Sequence, residues 1–155
     1  PSLYTEMLKN PRVIGVKNSS MPVQDIQTFV SLGGDDHIVF NGPDEQFLGG
    51  RLMGAGAGIG GTYGAMPELF LKLNQLIAEK DLETARALQF AINGIIGVLT
   101  SAHGNMYGVI KEVLQINEGL ELGSVRSPLS PVTEADQEVV QKAASLIREV
   151  KERFL

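Results

Sequence analysis

The chain contains no cysteine. Disulfides, thiolate metal centres and a cysteine nucleophile are therefore excluded, and the composition suits a reducing cytoplasm, the location expected here. Positive charge is also scarce: 13 Lys and Arg stand against 18 Asp and Glu, the net charge is -5, and no block of basic residues occurs. That leaves no electrostatic footprint for nucleic acid. The longest apolar stretch, Leu88 to Leu99, is interrupted by Asn93 and Gly94 and is too short to span a bilayer, so no membrane association is expected. No basic segment followed by an apolar one opens the chain. There are only two histidines, and no residues have metal-ligand spacing or a Ser/His/Asp order.

What is present is patterned. The first 80 residues repeat a unit of strand, polar loop, proline and helix. Val13 to Lys17 reads as a strand, Pro22 to Leu32 as a helix with Val23, Ile26 and Val30 on one face, and His37 to Asn41 as a second strand. A helix from Asp44 to Met53 leads into a third, glycine-rich strand over Gly54 to Gly61, and Pro67 opens a helix burying Leu69, Leu73, Leu76 and Ile77. Such repetition implies an α/β fold with parallel strands joined by crossover helices. From residue 81 the pattern is helical: Asp81 caps a helix burying Leu82, Ala85, Ile92, Ile95 and Leu99, another helix runs from Asn105 to Ile116, and Thr133 caps a last one with Val139, Val140, Ala143, Ile147 and Val150 in a stripe. The expected division is thus 1–80, a parallel α/β unit with three strands, which the resemblance given below makes a partial (β/α) barrel, and 81–155, a helical extension. At the other end, Ser2 is expected to cap a short helix carrying Leu3, Met7 and Leu8.

Parallel α/β sheets place ligands at the carboxyl edge of their strands, so the residues after Val16, Phe40 and Ile59 converge. Lys17 ends the first strand after an apolar run. A solvated surface lysine explains it equally well by position, but a crowded, partly desolvated ammonium has a lowered pKa and becomes a usable nucleophile. In Asn41-Gly-Pro-Asp-Glu-Gln-Phe47, Asp44 and Glu45 favour a helix start through its dipole; as a rim loop they also make good acceptors for polyol hydroxyls. Gly56, Gly58 and Gly61 formally match a dinucleotide-binding fingerprint, yet no branched strand precedes them and no acid ends a second strand 20 residues on; a small-residue strand beside a ligand fits better. His37 and His103 read as structural.

Taken together, Gly15-Val-Lys-Asn-Ser-Ser20, the Asn41-Gly-Pro-Asp-Glu45 loop and Gly56-Ala-Gly-Ile-Gly-Gly-Thr-Tyr63 resemble the dihydrodipicolinate synthase/N-acetylneuraminate lyase family of class I aldolases. The resemblance covers all 155 residues and implies the carboxyl-terminal part of a TIM (β/α)8 barrel, strands six to eight, with a helical extension. It implies that Lys17 forms a Schiff base with a 2-keto acid, that Ser19 supplies a hydroxyl near the substrate, and that Gly42, Asp44 and Glu45 hold a sugar as in the sialate lyases. Dihydrodipicolinate synthases generally lack that acidic pair, so the lyase branch is favoured. Gly61 stands where the lyases usually carry a serine, removing one hydroxyl contact. No metal or organic cofactor is implied.

The resemblance further implies that the strand-two hydroxyl pair and strand-five tyrosine of the family lie outside these residues. The expected partners are therefore a complementary N-terminal half-barrel chain or a second copy, within a homo-oligomer such as the family's tetramer. Three readings follow: a Schiff-base lyase completed by the other half, a half-barrel that assembles without catalysing, and, on the glycines alone, a nucleotide binder.

Overall fold

Pro1 precedes α1 (Ser2–Met7) in the computed structural model, which describes residues 1–155. Ser2 is the first helical residue rather than the cap, and the helix buries Tyr4 while Leu3 and Met7 stay exposed. The reason lies in packing: the Tyr4 ring meets Phe29 edge-on at 5.1 Å, which fixes the face that a six-residue helix turns inward. The chain divides into two compact units, Pro1–Gly60 and Gly61–Leu155.

In the first unit, β1 (Gly15–Asn18) and β2 (Ile38–Asn41) pair in parallel, with Lys17 opposite Phe40 and Asn18 opposite Asn41. The strand begins two residues later than expected, because the Val13 N–H donates to the Asn10 carbonyl at 2.9 Å and closes a turn there instead of joining the ladder. Between the strands runs α2 (Val23–Gly33), which buries Ile26 against Val39 and Ala55, with Val16, Val23, Phe29 and Val30 packed around them. The expected helix from Asp44 divides into a 3-10 turn, Asp44–Gln46, and α3 (Phe47–Leu52).

The third strand, β3, is only Ala57–Gly58. Residues before it serve a turn: Gly54 sits at φ 101°, a conformation that disfavours any side chain, and the Ala55 N–H returns to the Gly50 carbonyl. Ladder bonds nevertheless extend beyond the strand, from Gly56 N–H to Val39 O and from Ile59 N–H to Asn41 O. The sheet order β1-β2-β3 is parallel throughout, so Asn18, Asn41 and Gly58 end on one edge.

The second unit is helical. Pro67 opens α4 (Pro67–Glu79), which buries Leu69, Phe70, Leu73 and Leu76. Asp81 caps α5 (Leu82–Leu99) by accepting from the Thr84 N–H at 3.1 Å. Leu82 is exposed, contrary to expectation, since the buried face of α5 begins one turn later at Ala85. Asn105 caps α6 (Met106–Glu118), and a 3-10 turn at Glu134–Asp136 leads into α7 (Gln137–Phe154). The stripe of Val140, Ala143, Ile147 and Val150 on α7 packs against α5 and α6. No helix is long and apolar enough to cross a membrane.

Candidate functional site

The candidate residues of the first unit gather on the loops that leave β1 and β2. Exposure alternates along the first of these: Lys17 and Ser19 are exposed, Asn18 is buried and Ser20 half-buried. In extended backbone, residues two apart share a face. Lys17 therefore looks out on the side of the sheet opposite Val16 and the core, and Ser19, just past the strand, is exposed as well. Among these residues Lys17 is exposed: α2 packs on the Val16 and Val39 face, and Lys17 points the other way.

The two loops touch at Gly42. Its N–H donates to the Asn18 carbonyl at 2.7 Å. A Cβ at this position would lie 2.4 Å from that same oxygen and 2.8 Å from Ser19 Oγ, so only glycine lets the backbones approach this closely. Gly42→Ala is expected to cost about 1–3 kcal/mol, because the nearest atom is backbone and cannot swing aside; urea unfolding of the two proteins measures it.

Beyond Gly42, the buried Asn41 donates through Nδ2 to the Pro43 carbonyl at 2.7 Å and shapes the start of the acidic loop. Asp44 is buried and Glu45 exposed, the divergence expected of neighbours at a helix start. Two acids facing different ways do not form an acid/base pair; they can accept hydroxyls at separate points.

Gly61 opens the second unit. The Cβ of a residue there would stand 2.7 Å from the Tyr107 hydroxyl, so the tyrosine already fills the space of a side chain. The histidines have other partners: His37 Nδ1 meets the Gly33 carbonyl at 2.9 Å, and His103 meets Asp136. No group of three or more His, Asp and Glu is arranged to hold a metal ion. Of the fingerprint glycines, Gly58 lies within β3 and α4 starts only at Pro67, which is not the geometry of a phosphate loop opening a helix.

Sequence reasoning overlooked four residues around these loops. The Ser20 hydroxyl lies 2.6 Å from Asp25 Oδ2 and 2.8 Å from Asn18 Oδ1, and Gln46 Nε2 donates to the Ser20 carbonyl at 3.2 Å. The available signal was the run Asn18-Ser19-Ser20, more polar than a turn requires. Tyr107 was overlooked as well, 46 positions from the glycine it abuts.

A lysine one residue before the end of a strand of a parallel α/β sheet, near a hydroxyl and an acidic loop, suits carbonyl chemistry. Residues 1–147 match the Dihydrodipicolinate synthetase family, and the chain belongs to it. Among its relatives, the N-acetylneuraminate lyase of Mediterraneibacter gnavus is 58% identical over 154 residues, 99% of this chain and 49% of that protein. The N-acetylneuraminate lyase of Rhizobium meliloti is 38% identical over 140 residues, 90% of this chain and 46% of that one. A solved structure described as a Ruminococcus gnavus sialic acid aldolase catalytic lysine mutant superposes with a TM-score of 0.97 at 58% identity, covering 99% of this chain and 50% of the other. The chain thus spans about half the length of the curated relatives it matches.

Proposed function

We propose that the chain is the Schiff-base-forming part of an N-acetylneuraminate lyase, the carboxyl-terminal part of a (β/α)8 barrel that works with the preceding half. The 58% identity to a protein so named carries the reading. The exposure of both Lys17 and Ser19, and the acidic loop joined to theirs at Gly42, support it.

In this reading neutral Lys17 attacks the ketone carbon of the open-chain 2-keto acid, and loss of water gives a protonated imine. The C3–C4 bond then breaks: its electron pair moves into the imine to form an enamine, while the C4 hydroxyl loses its proton and becomes the aldehyde of N-acetylmannosamine. Protonation of the enamine at C3 and hydrolysis release pyruvate and restore the amine. Ser19 contacts the substrate near the imine, and Gly42, Asp44 and Glu45 hold the sugar hydroxyls. The family's tyrosine, from another strand, relays the protons. The working assembly is a homo-oligomer. No metal or organic cofactor takes part.

Incubating the chain, assembled with its N-terminal half, with pyruvate and borohydride is expected to leave one reduced pyruvyl adduct, mapped by peptide mass to Lys17. No adduct, or an adduct on another lysine, overturns the reading. An adduct with pyruvate but no cleavage of N-acetylneuraminate points instead to another pyruvate aldolase of the family; the neighbouring acids Asp44 and Glu45 favour the sugar lyase.

A further inference from the structure

Between the lysine loop and the acidic loop lies a set of buried and half-buried polar groups that the proposed chemistry leaves without a role. Asn18, 5% exposed, carries two links: its carbonyl accepts the Gly42 N–H, and its side chain turns to Ser20, with Oδ1 2.8 Å from the hydroxyl and 3.4 Å from the N–H. The Ser20 hydroxyl reaches Asp25 Oδ2 in the first turn of α2 at 2.6 Å, and its carbonyl accepts Gln46 Nε2 at 3.2 Å. Residue 20 is thereby tied to the end of β1, to the start of α2, and to the 3-10 turn that contains Asp44 and Glu45. The bond to a carboxylate is the strong one of the set, and it fixes a loop whose backbone otherwise has few partners.

We infer that Asn18, Ser20, Asp25 and Gln46 are positioning residues, forming a clamp that sets the distance and angle between the loop bearing Lys17 and Ser19 and the loop bearing Asp44 and Glu45. This rests on the function proposed above. The clamp acts only through its neighbours: Ser19 stands between two pinned residues and faces outward, and Gln46 directly follows Glu45. Imine formation with pyruvate needs the first loop alone. Cleavage of a long sugar acid needs both loops engaged at once, because the carbon attached to lysine and the hydroxyls held by the acids belong to one rigidly spaced molecule. Loss of the clamp therefore separates the two steps.

The test compares Ser20→Ala, Ser20→Thr and Gln46→Glu with the unaltered protein, assembled with its N-terminal half. Gln46→Glu keeps the size of the side chain but turns a donor toward the Ser20 carbonyl into an acceptor. Ser20→Ala and Gln46→Glu are expected to raise KM for N-acetylneuraminate about tenfold, with the rate of borohydride trapping of pyruvate on Lys17 within about twofold of the unaltered protein. Ser20→Thr, which restores the hydroxyl, is expected to return KM to within about threefold. Unchanged KM in both variants, or equal losses of trapping and cleavage, overturns the clamp while the lyase reading stands. Failure of the unaltered protein to trap pyruvate overturns both.

Discussion

Lys17→Arg is expected to abolish cleavage of N-acetylneuraminate, by about 10⁴-fold or more, and to leave no adduct after borohydride treatment with pyruvate. A guanidinium keeps the charge and the length of the side chain but is protonated at every working pH, so it offers no lone pair to a ketone. The same substitution is expected to change the unfolding free energy by no more than about 0.5 kcal/mol, because Lys17 is exposed and outside the core. Large loss of chemistry with unchanged stability is the signature of a reacting group. A stability loss accompanying the activity loss would mean the lysine supports the sheet instead. Steady-state kinetics and urea unfolding on the same samples separate the two.

Asp136 is expected to give the second large effect, on stability. It is fully buried at the junction of the α5–α6 linker with the start of α7. It accepts from the His103 N–H at 2.8 Å, the Gly104 N–H at 3.3 Å, the Thr133 N–H at 3.0 Å and the Thr133 hydroxyl at 3.2 Å. These bonds, led by those from the Thr133 and His103 backbones, lower its pKa to about 2 from 3.8. Asp136→Ala leaves four donors, that of the buried Gly104 among them, without their acceptor and is expected to lower Tm by about 5–10 °C. Asp136→Asn keeps the shape but lacks the charge and is expected to lie between.

The pH dependence has a definite sign. A carboxyl whose folded pKa lies below its unfolded value stabilises fully above the unfolded value and loses that contribution as the pH falls through the folded one. The Tm difference between the unaltered protein and Asp136→Asn should therefore be constant above about pH 4 and shrink between about pH 4 and 2. A difference independent of pH across that range would show that shape, not charge, holds the junction.

That junction also marks the limit of what the sequence discloses. The α/β alternation was legible because side chains repeat every two or every three to four residues, and helices α2, α4, α5, α6 and α7 lie close to where those periods put them. Lys17, Gly42, Asp44 and Glu45 stood out as candidates because each occupies a short local motif. What escaped was non-local. His103 and Asp136 are 33 positions apart, and Ser20 and Gln46 are 26 apart, so no local spacing connects them. Polar residues in turns look alike in sequence whether they face water or one another. The strand boundaries slipped for a similar reason, since Val13 and Gly54 have the composition of their strands but spend their backbones on turns.

The space beside Gly61 has an evolutionary reading. The atom nearest to a would-be Cβ is the tip of the Tyr107 side chain, which can rotate, and not the backbone. Acquiring a side chain at 61 would displace a hydroxyl without breaking the fold, and shortening Tyr107 would vacate the place for one. A side chain at 61 and the hydroxyl of Tyr107 thus compete for one place, and a shift of the tyrosine's tip is what admits the newcomer. A lineage can retune this corner of the protein in small steps, while Gly42, hemmed in by backbone, is held in place.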